Sequence, residues 1–380
     1  MPVIQYIKQK FQNSYLVWLK SSNLYLQLEE PAWFVFKKTV KRFKAETIAS
    51  ECVDRYGLTP EESLKYVTDI RSGIERMNVP AEIGLGSSHY PDDLLSYVFE
   101  PYSVYCYKFG ERLIEFSYET RNFEYYIHPL IKHLETSETT AEKVIFELFA
   151  YYDKIALRLK GEIKGLWTYD ETHHVKGVVF MNMINVIFDK SDDFWLMTVH
   201  ASAVTNGRKT ILLPAEPGSG KTTMAAMLQD RGFKLVSDDF VPIDRVSNAY
   251  PFPIAMSVKQ GSVELLSSIY ADLEQKEMNY ITPEKVVRYL NHETCNSFDN
   301  RAFPVNEFIF IKYDQSVDFK LESIDPLSGV KLLLEQSWVS GSKGTPELLF
   351  EFVTKWSFFR LTYSNNSKAI EAITNLFEHD

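Results

Sequence analysis

One stretch limits what this chain can fold into more than any other: Ile211-Leu212-Leu213-Pro214-Ala215-Glu216-Pro217-Gly218-Ser219-Gly220-Lys221-Thr222-Thr223-Met224, an apolar run that breaks into a Gly-rich turn and then into a helix. Small residues at Gly218, Ser219 and Gly220, entered through Pro217, let successive backbone N–H groups turn inward around phosphate oxygens, where a bulky side chain would block the approach. Lys221 adds a positive charge toward the β and γ phosphates. Thr222 offers a hydroxyl to Mg²⁺, Thr223 follows it in the first turn, and the helix brings its positive dipole end. The pattern departs from G-x-x-x-x-G-K-[ST] at its first glycine, where Ala215 stands.

The residues downstream narrow the chemistry. A helix from Lys221 to Asp230 should end at Arg231-Gly232, and Phe233-Lys234-Leu235-Val236 then reads as a buried strand. That strand delivers Ser237-Asp238-Asp239 to the same end of the sheet as the loop. Two adjacent acids can divide the work, one on the metal side and one as general base toward a hydroxyl acceptor. The alternative is one metal acid and a second acid that caps a turn. Upstream, Met197 to Val204 and Arg208 to Leu213 are apolar runs joined through Thr205-Asn206-Gly207, a strong hairpin signal. His200 is thus expected on a strand beside the loop-bearing strand, where the residues alone allow either a structural or a catalytic role.

His200, 21 residues before Lys221, together with Lys221-Thr222, Arg231-Gly232 and Asp238-Asp239, resembles the catalytic half of HPr kinase/phosphorylase and the related serine kinases. The resemblance is strong from about Trp195 to Met256 and weak from there to the C-terminus. It implies a phosphoenolpyruvate-carboxykinase-like P-loop fold, with ATP and Mg²⁺ as cofactors. It also implies that His200 lies in the active site and that Asp239 takes the proton from an acceptor serine. The chain departs from the family twice. Ser257, in Ile254-Ala255-Met256-Ser257-Val258-Lys259, stands where true HPr kinases carry a second metal carboxylate. Their Pro-Gly-Arg loop is absent too, since Phe303-Pro304-Val305-Asn306 runs almost directly into the strand Phe308 to Ile311. HPr is therefore not the expected substrate, nor is pyrophosphate or reverse chemistry expected. Lys259 is either a compensating phosphate contact or an exposed solvated side chain.

Length and composition set the remaining bounds. The 380 residues, 45% hydrophobic and 14% aromatic, suffice for two or three domains with a sizeable core. The N-terminus lacks a long apolar segment and no run of 18 apolar residues occurs, so neither secretion nor membrane spanning is expected. Cys52, Cys106 and Cys295 are too scattered for a disulfide framework or metal knuckle, which fits a reducing cytoplasm. The net charge of −10 disfavours an extended nucleic-acid footprint.

Residues 1–80 have their own pattern. Tyr15 to Leu19 and Leu24 to Leu28 flank Ser21-Ser22-Asn23 as a hairpin. Three helices follow: one opening at Pro31 with the basic set Lys37, Lys38, Lys41, Arg42 and Lys44, one through Ile48, Cys52 and Tyr56 to Gly57, and one from the capping box Thr59-Pro60-Glu61-Glu62. Two strands then three helices make a small winged-helix-like α+β module. Its order and its Tyr25-Leu26-x-Leu28 strand resemble PqqD and the PqqD-like leader-recognition domains of peptide-modifying enzymes. The resemblance implies capture of a precursor peptide's leader as an added strand. The basic first helix is either a solvated face or a DNA contact.

Residues 81–194 form an intermediate α+β region expected to pack on or complete the catalytic part. It shows a hairpin of Tyr102 to Tyr107 with Arg112 to Tyr118, a short helix at Pro129 to Leu134, and a longer helix from Thr140 through Phe149. Strands at Ile155 to Leu159 and Glu162 to Thr168 precede a helix at Val175 to Phe188. Residues 195–380 form the ATP-binding catalytic domain, with a strand at Phe308 to Lys312, helices at Gly329 to Gln336 and Lys368 to Glu378, and an exposed loop at Ser340 to Gly344. The whole reads as an α/β protein: a P-loop kinase domain behind a peptide-binding module, phosphorylating a serine or threonine of a peptide. A kinase of free serine or another small hydroxyl metabolite, and a nucleotide-sensing winged-helix regulator without turnover, stay open as alternatives, as does homo-oligomerisation.

Overall fold

The computed structural model describes residues 4–79, 90–138, 142–282, 285–291 and 300–378. Cys295 and the boundary at residues 80 and 81 lie outside them. Among the described residues the protein is mixed α/β, with four sheets and ten α-helices. Its contacts divide it into two units, Met1–Ile83 with Lys343–Glu351, and Gly84–Ser342 with Phe352–Asp380. No helix among the described residues is long and apolar enough to cross a membrane.

In the first unit β1 (Tyr6–Phe11), β2 (Ser14–Leu19) and β3 (Leu24–Glu29) form an antiparallel sheet in chain order. Helices α1 (Glu30–Val40), α2 (Ala45–Tyr56) and α3 (Pro60–Met77) follow. The sequence pattern suggests two strands, and β1 is the correction. Its Lys8 and Lys10 give it the polarity of a tail, yet both amines lie over aromatic rings, Lys8 at 4.7 Å from the Trp33 ring centre and Lys10 at 5.7 Å from that of Tyr15. The core forms where Trp33 stacks on Tyr15 with centroids 4.6 Å apart and Phe36 meets Tyr6 edge-on at 5.0 Å. The capping box of Thr59 and Glu62 is present at the start of α3, and Gly57 ends α2 in the left-handed region. From the later segment of this unit, Phe350 stands edge-on to Tyr25 with centroids 6.1 Å apart.

The second unit opens with a five-stranded sheet of β4 (Ser103–Phe109), β5 (Arg112–Tyr118), β6 (Lys143–Tyr151), β7 (Lys154–Leu159) and β8 (Glu162–Thr168), in that spatial order. The helix expected from Thr140 through Phe149 is not formed: its start lies outside the described residues, and Lys143 to Phe149 belong to β6. Glu147, Leu148 and Phe149 can serve a helix, but pairing with β5 on one side and β7 on the other overrides that local preference. Helix α4 (Arg121–Ile131) starts earlier than Pro129 because Thr120 caps it, its hydroxyl accepting from Phe123 N–H at 3.3 Å. Helix α5 (Thr172–Phe188) closes this region. One apolar cluster joins the sheet and α5 to Trp195, Phe252 and Ile254 from the chain beyond.

Next come β9 (Trp195–Val199), β10 (Ala201–Thr205), β11 (Thr210–Pro214), α6 (Lys221–Asp230), β12 (Lys234–Ser237), β13 (Val241–Asp244) and β14 (Asn248–Ala249). They are followed by β15 (Met256–Lys259), α7 (Gln260–Ser267), β16 (Asn279–Thr282), β17 (Lys285–Leu290), β18 (Phe303–Tyr313) and β19 (Phe319–Ile324). The chain ends with α8 (Pro326–Glu335), β20 (Ser337–Val339), α9 (Thr345–Val353), β21 (Ser357–Tyr363) and α10 (Asn366–Glu378). The large sheet runs β12-β10-β11-β18-β14-β13-β9-β20, with β21 on β18 and β19 on β21, while β15, β17 and β16 form a separate antiparallel sheet. Met224, Met227 and Leu228 of α6 pack with Leu213, Leu235, Met256 and Val258 in one buried cluster, which fixes the helix behind the loop that precedes it. The loop expected as exposed at Ser340 to Gly344 is a connection between β20 and α9 whose first residue, Ser340, is buried and donates its N–H to Leu196 O at 3.0 Å.

Candidate active site

Strand β11 lies between β10 and β18, buried at every residue, and its end delivers Ala215 into the Gly-rich turn. Gly218 and Gly220 take φ of 99° and 96°, a region other residues enter at a cost, and Gly220 becomes the N-cap of α6. The turn is fixed by Ser219 N–H to Glu216 O at 3.2 Å and by Tyr313 N–H to Ser219 O at 3.1 Å. A Cβ at Gly220 would come within 3.1 Å of the Tyr363 hydroxyl, and one at Gly218 within 3.6 Å of the Lys259 amine. Lys259 therefore stands at the loop, where the sequence left its role open. With no side chain capping Gly220, the first N–H groups of α6 remain available to an anion.

Lys221 is buried at the start of α6. Its amine donates to His200 Nε2 at 2.8 Å and lies 3.3 Å from Asp239 Oδ1. Since Nε2 accepts from an amine, the ring proton belongs on Nδ1, which faces Asp239 O at 3.1 Å and Asp239 Oδ1 at 3.2 Å. Burial, followed by the Lys221 charge, lowers the His200 pKa, while the Asp239 charge opposes this, so a neutral imidazole fits the arrangement. His200 lies between β9 and β10, not inside a strand, because β9 serves β13 and β20 while β10 serves β11 and β12. Its own N–H goes to Gln336 O at 2.7 Å.

The two acids part ways. Asp238 is 1% exposed, accepts from the Ser202 hydroxyl, and faces the Thr222 hydroxyl at 3.0 and 3.2 Å. Burial and the neighbouring Asp239 charge push its pKa up to about 6. Asp239 has φ of 70° and keeps 37% side-chain exposure. Burial raises its pKa, but Lys221, Lys176 and His200 outweigh this and hold it at about 2. Adjacent residues thus present one carboxylate to Thr222 and one to the lysine and histidine.

Thr222 and Asp238 supply two hard oxygens within reach of the phosphate turn, which suits Mg²⁺, a cation that takes its other ligands from water and phosphate. No cluster of three or more His, Cys, Asp or Glu side chains that could hold a metal occurs among the described residues. Thr223 follows in α6, with its hydroxyl to Ser262 Oγ of α7 at 2.7 Å, while Pro217 is at the exposed tip of the turn. Ser257, in the place of the second carboxylate, lies on β15 opposite Tyr289 of β17.

Two groups escaped the sequence reading. Ser202 holds Asp238, and Lys176 of α5 is among the charges acting on Asp239. A lone cation in the apolar run Val175-Lys176-Gly177-Val178-Val179-Phe180 was the available signal for the second. The chain matches no family model and no curated protein.

Proposed function

We propose that the chain is an ATP-dependent kinase that transfers the γ-phosphoryl group to a serine or threonine hydroxyl of a peptide captured by its first unit. The observation that carries the reading is the contact chain Lys221–His200–Asp239 beside a Gly-rich turn, with Thr222 and Asp238 paired next to it. A nucleotide takes the amides of residues 218 to 223, and Lys221 exchanges the His200 nitrogen for phosphate oxygens. Thr222 and Asp238 would hold Mg²⁺, which supplies charge neutralisation at the β and γ phosphates. Asp239, released from Lys221, takes the acceptor's hydroxyl proton as the oxygen–phosphorus bond forms and the bond to the β-phosphate oxygen breaks. His200 keeps the Asp239 carboxylate turned toward the acceptor.

Peptide capture is supported by the edges of the first unit's sheet. A strand edge offers unmade backbone hydrogen bonds to an extended partner. Edge β1 carries Lys8 and Lys10, the kind of residue that blunts an edge, whereas β3 reads Leu24-Tyr25-Leu26-Gln27-Leu28 with Leu24 exposed. An apolar edge such as β3 is the better seat for a leader.

The test mixes the purified chain with MgATP and the products of small open reading frames encoded nearby, and looks for the mass gain of one phosphoryl group. Transfer to free serine alone selects the small-metabolite kinase, and salt-sensitive duplex DNA binding without turnover selects the regulator. Lys221→Ala should abolish transfer with the fold intact, a loss of about 10² or more. Wild-type turnover in that variant refutes the nucleotide site.

A further inference from the structure

Strands β11, β18 and β21 run parallel, with β18 between the other two, so their C-terminal ends open on one edge of the large sheet. Ligands of parallel sheets sit beyond that edge. β11 delivers the phosphate turn there, and β18 and β21 end on Tyr313 and Tyr363. The two tyrosines are partners in the β18–β21 register, which sets both side chains on one face of the sheet. Their rings meet edge-on with centroids 5.7 Å apart.

Both residues stand against the turn. Tyr313 donates its N–H to Ser219 O at 3.1 Å, and its Cβ lies 3.7 Å from the point a Cβ on Gly220 would occupy. The Tyr363 hydroxyl is 3.1 Å from the same point. The N–H of Asp314 goes to Tyr363 O at 2.8 Å, which ties the two strand ends together. Tyr363 is 1% exposed, whereas Tyr313 is 45% exposed. A buried ring thus holds a second ring, open to solvent, beside the Gly-rich turn.

The other side of β11 sets the direction in which a nucleotide would lie. β10 and then β12 follow there, with Ala201 opposite Pro214 and Ser237 opposite Ala203, so His200, Asp238 and Asp239 come to the same edge. Thr222 faces Asp238 at 3.0 Å and Lys221 reaches His200 at 2.8 Å. With the γ-phosphate turned toward these groups, sugar and base leave the turn on the opposite side, over the ends of β18 and β21. An exposed aromatic face at that place gives a planar base a surface to stack on.

We propose that the base of the nucleotide stacks on the exposed ring of Tyr313, which Tyr363 holds in place beside the turn. This deepens the nucleotide reading above and rests on it.

The experiment is a calorimetric titration of the full chain with MgATP and with magnesium tripolyphosphate, which carries the phosphates without sugar or base. Tyr313→Ala keeps the backbone N–H that holds Ser219, so its affinity for tripolyphosphate should equal that of the wild type. Its affinity for MgATP should fall about 5- to 100-fold, the range for losing one stacked base. Tyr313→Phe should recover MgATP binding. In Tyr313→Trp the fluorescence gained over the wild type should be quenched by MgATP and not by tripolyphosphate. Wild-type MgATP affinity in Tyr313→Ala overturns the stacking platform and leaves the nucleotide site standing. Equal loss of both ligands also overturns it, since Tyr313 would then act only as a support of the turn. If the wild type binds neither ligand, the nucleotide reading fails and the platform falls with it.

Discussion

The strand that carries the phosphate turn, β11, is paired on both sides and buried at each of its five residues, whereas β3 of the first unit is paired on one side and buried at one residue of six. Under the proposed function, recognition in the first region belongs to side chains and turned amides held at fixed spacing by a closed environment. In the second it belongs to backbone groups that the sheet leaves unmade. A closed strand can position a proton acceptor within a fraction of an ångström, while an open edge accepts any extended partner whose side chains suit its pockets. Substitutions in the two regions should therefore fail differently, one in turnover and the other in capture.

The largest effect should come from Asp239→Asn. Turnover should fall by roughly 10² to 10⁴ while nucleotide affinity, measured by fluorescence titration, changes little. Asn accepts the left-handed backbone that Asp239 occupies, so circular dichroism should remain that of the wild type. Should Asp238→Asn prove the deader variant and Asp239→Asn keep near-normal turnover, the two acids exchange roles.

On the other side of the comparison, Leu24→Lys with Leu26→Lys in the full chain should raise KM for a leader-bearing precursor by on the order of 10², through loss of tethering at an effective concentration near millimolar. A short acceptor peptide without a leader should react as before. Equal damage to both substrates would erase the distinction between the regions. Lys8→Leu, on the opposite edge, should leave both substrates unaffected.

The smallest effect concerns pH. His133 is partly buried with Nε2 3.0 Å from Pro253 O, and burial lowers its pKa to about 4, against the opposing hydrogen bond. Its contribution to stability is complete above the unfolded value near 6.5 and is lost as pH falls toward 4, because the unfolded chain takes up the proton first. The loss should reach roughly 1–2 kcal/mol once its partial exposure is allowed for. Burial also lowers the pKa of His128 and His200, in the same unit, so they add to this slope. The first unit contains no histidine and should show no such slope between pH 6.5 and 5. Urea unfolding at several pH values, with His133→Gln as the control, checks both statements. An unchanged slope in His133→Gln would remove this residue as the cause.

Legibility followed the same division. The turn, the helix from Lys221 to Asp230 and the strand into Asp238-Asp239 could be read because each depends on neighbours in sequence, and all three are present. Strand β1 was hidden because its two exposed lysines make it look polar, although both amines lie over aromatic rings. For β6, helix-compatible residues gave way to partners on both sides, a fact of tertiary pairing. Lys176 could be noticed only as a lone cation in an apolar run, not placed: α5 ends well before the turn, and no spacing rule links position 176 to position 239. His200 was placed beside the right strand but at a bend, since the residues do not announce that β9 and β10 part to different neighbours.

The backbone of Asp239, with φ of 70°, also bears on how this site can change. Aspartate, asparagine and glycine visit that conformation readily because a short polar side chain, or none, relieves it, whereas longer side chains enter it at about 1–2 kcal/mol. Glutamate carries the same charge and nearly the same intrinsic pKa, so on chemical grounds it is the mildest replacement for a proton acceptor. At this position it is instead a change of geometry, with a carboxylate one methylene further out on a backbone that resists it. Under the proposed function, mutational routes that keep a base here are therefore narrow, because, of the two carboxylates, only aspartate suits this backbone.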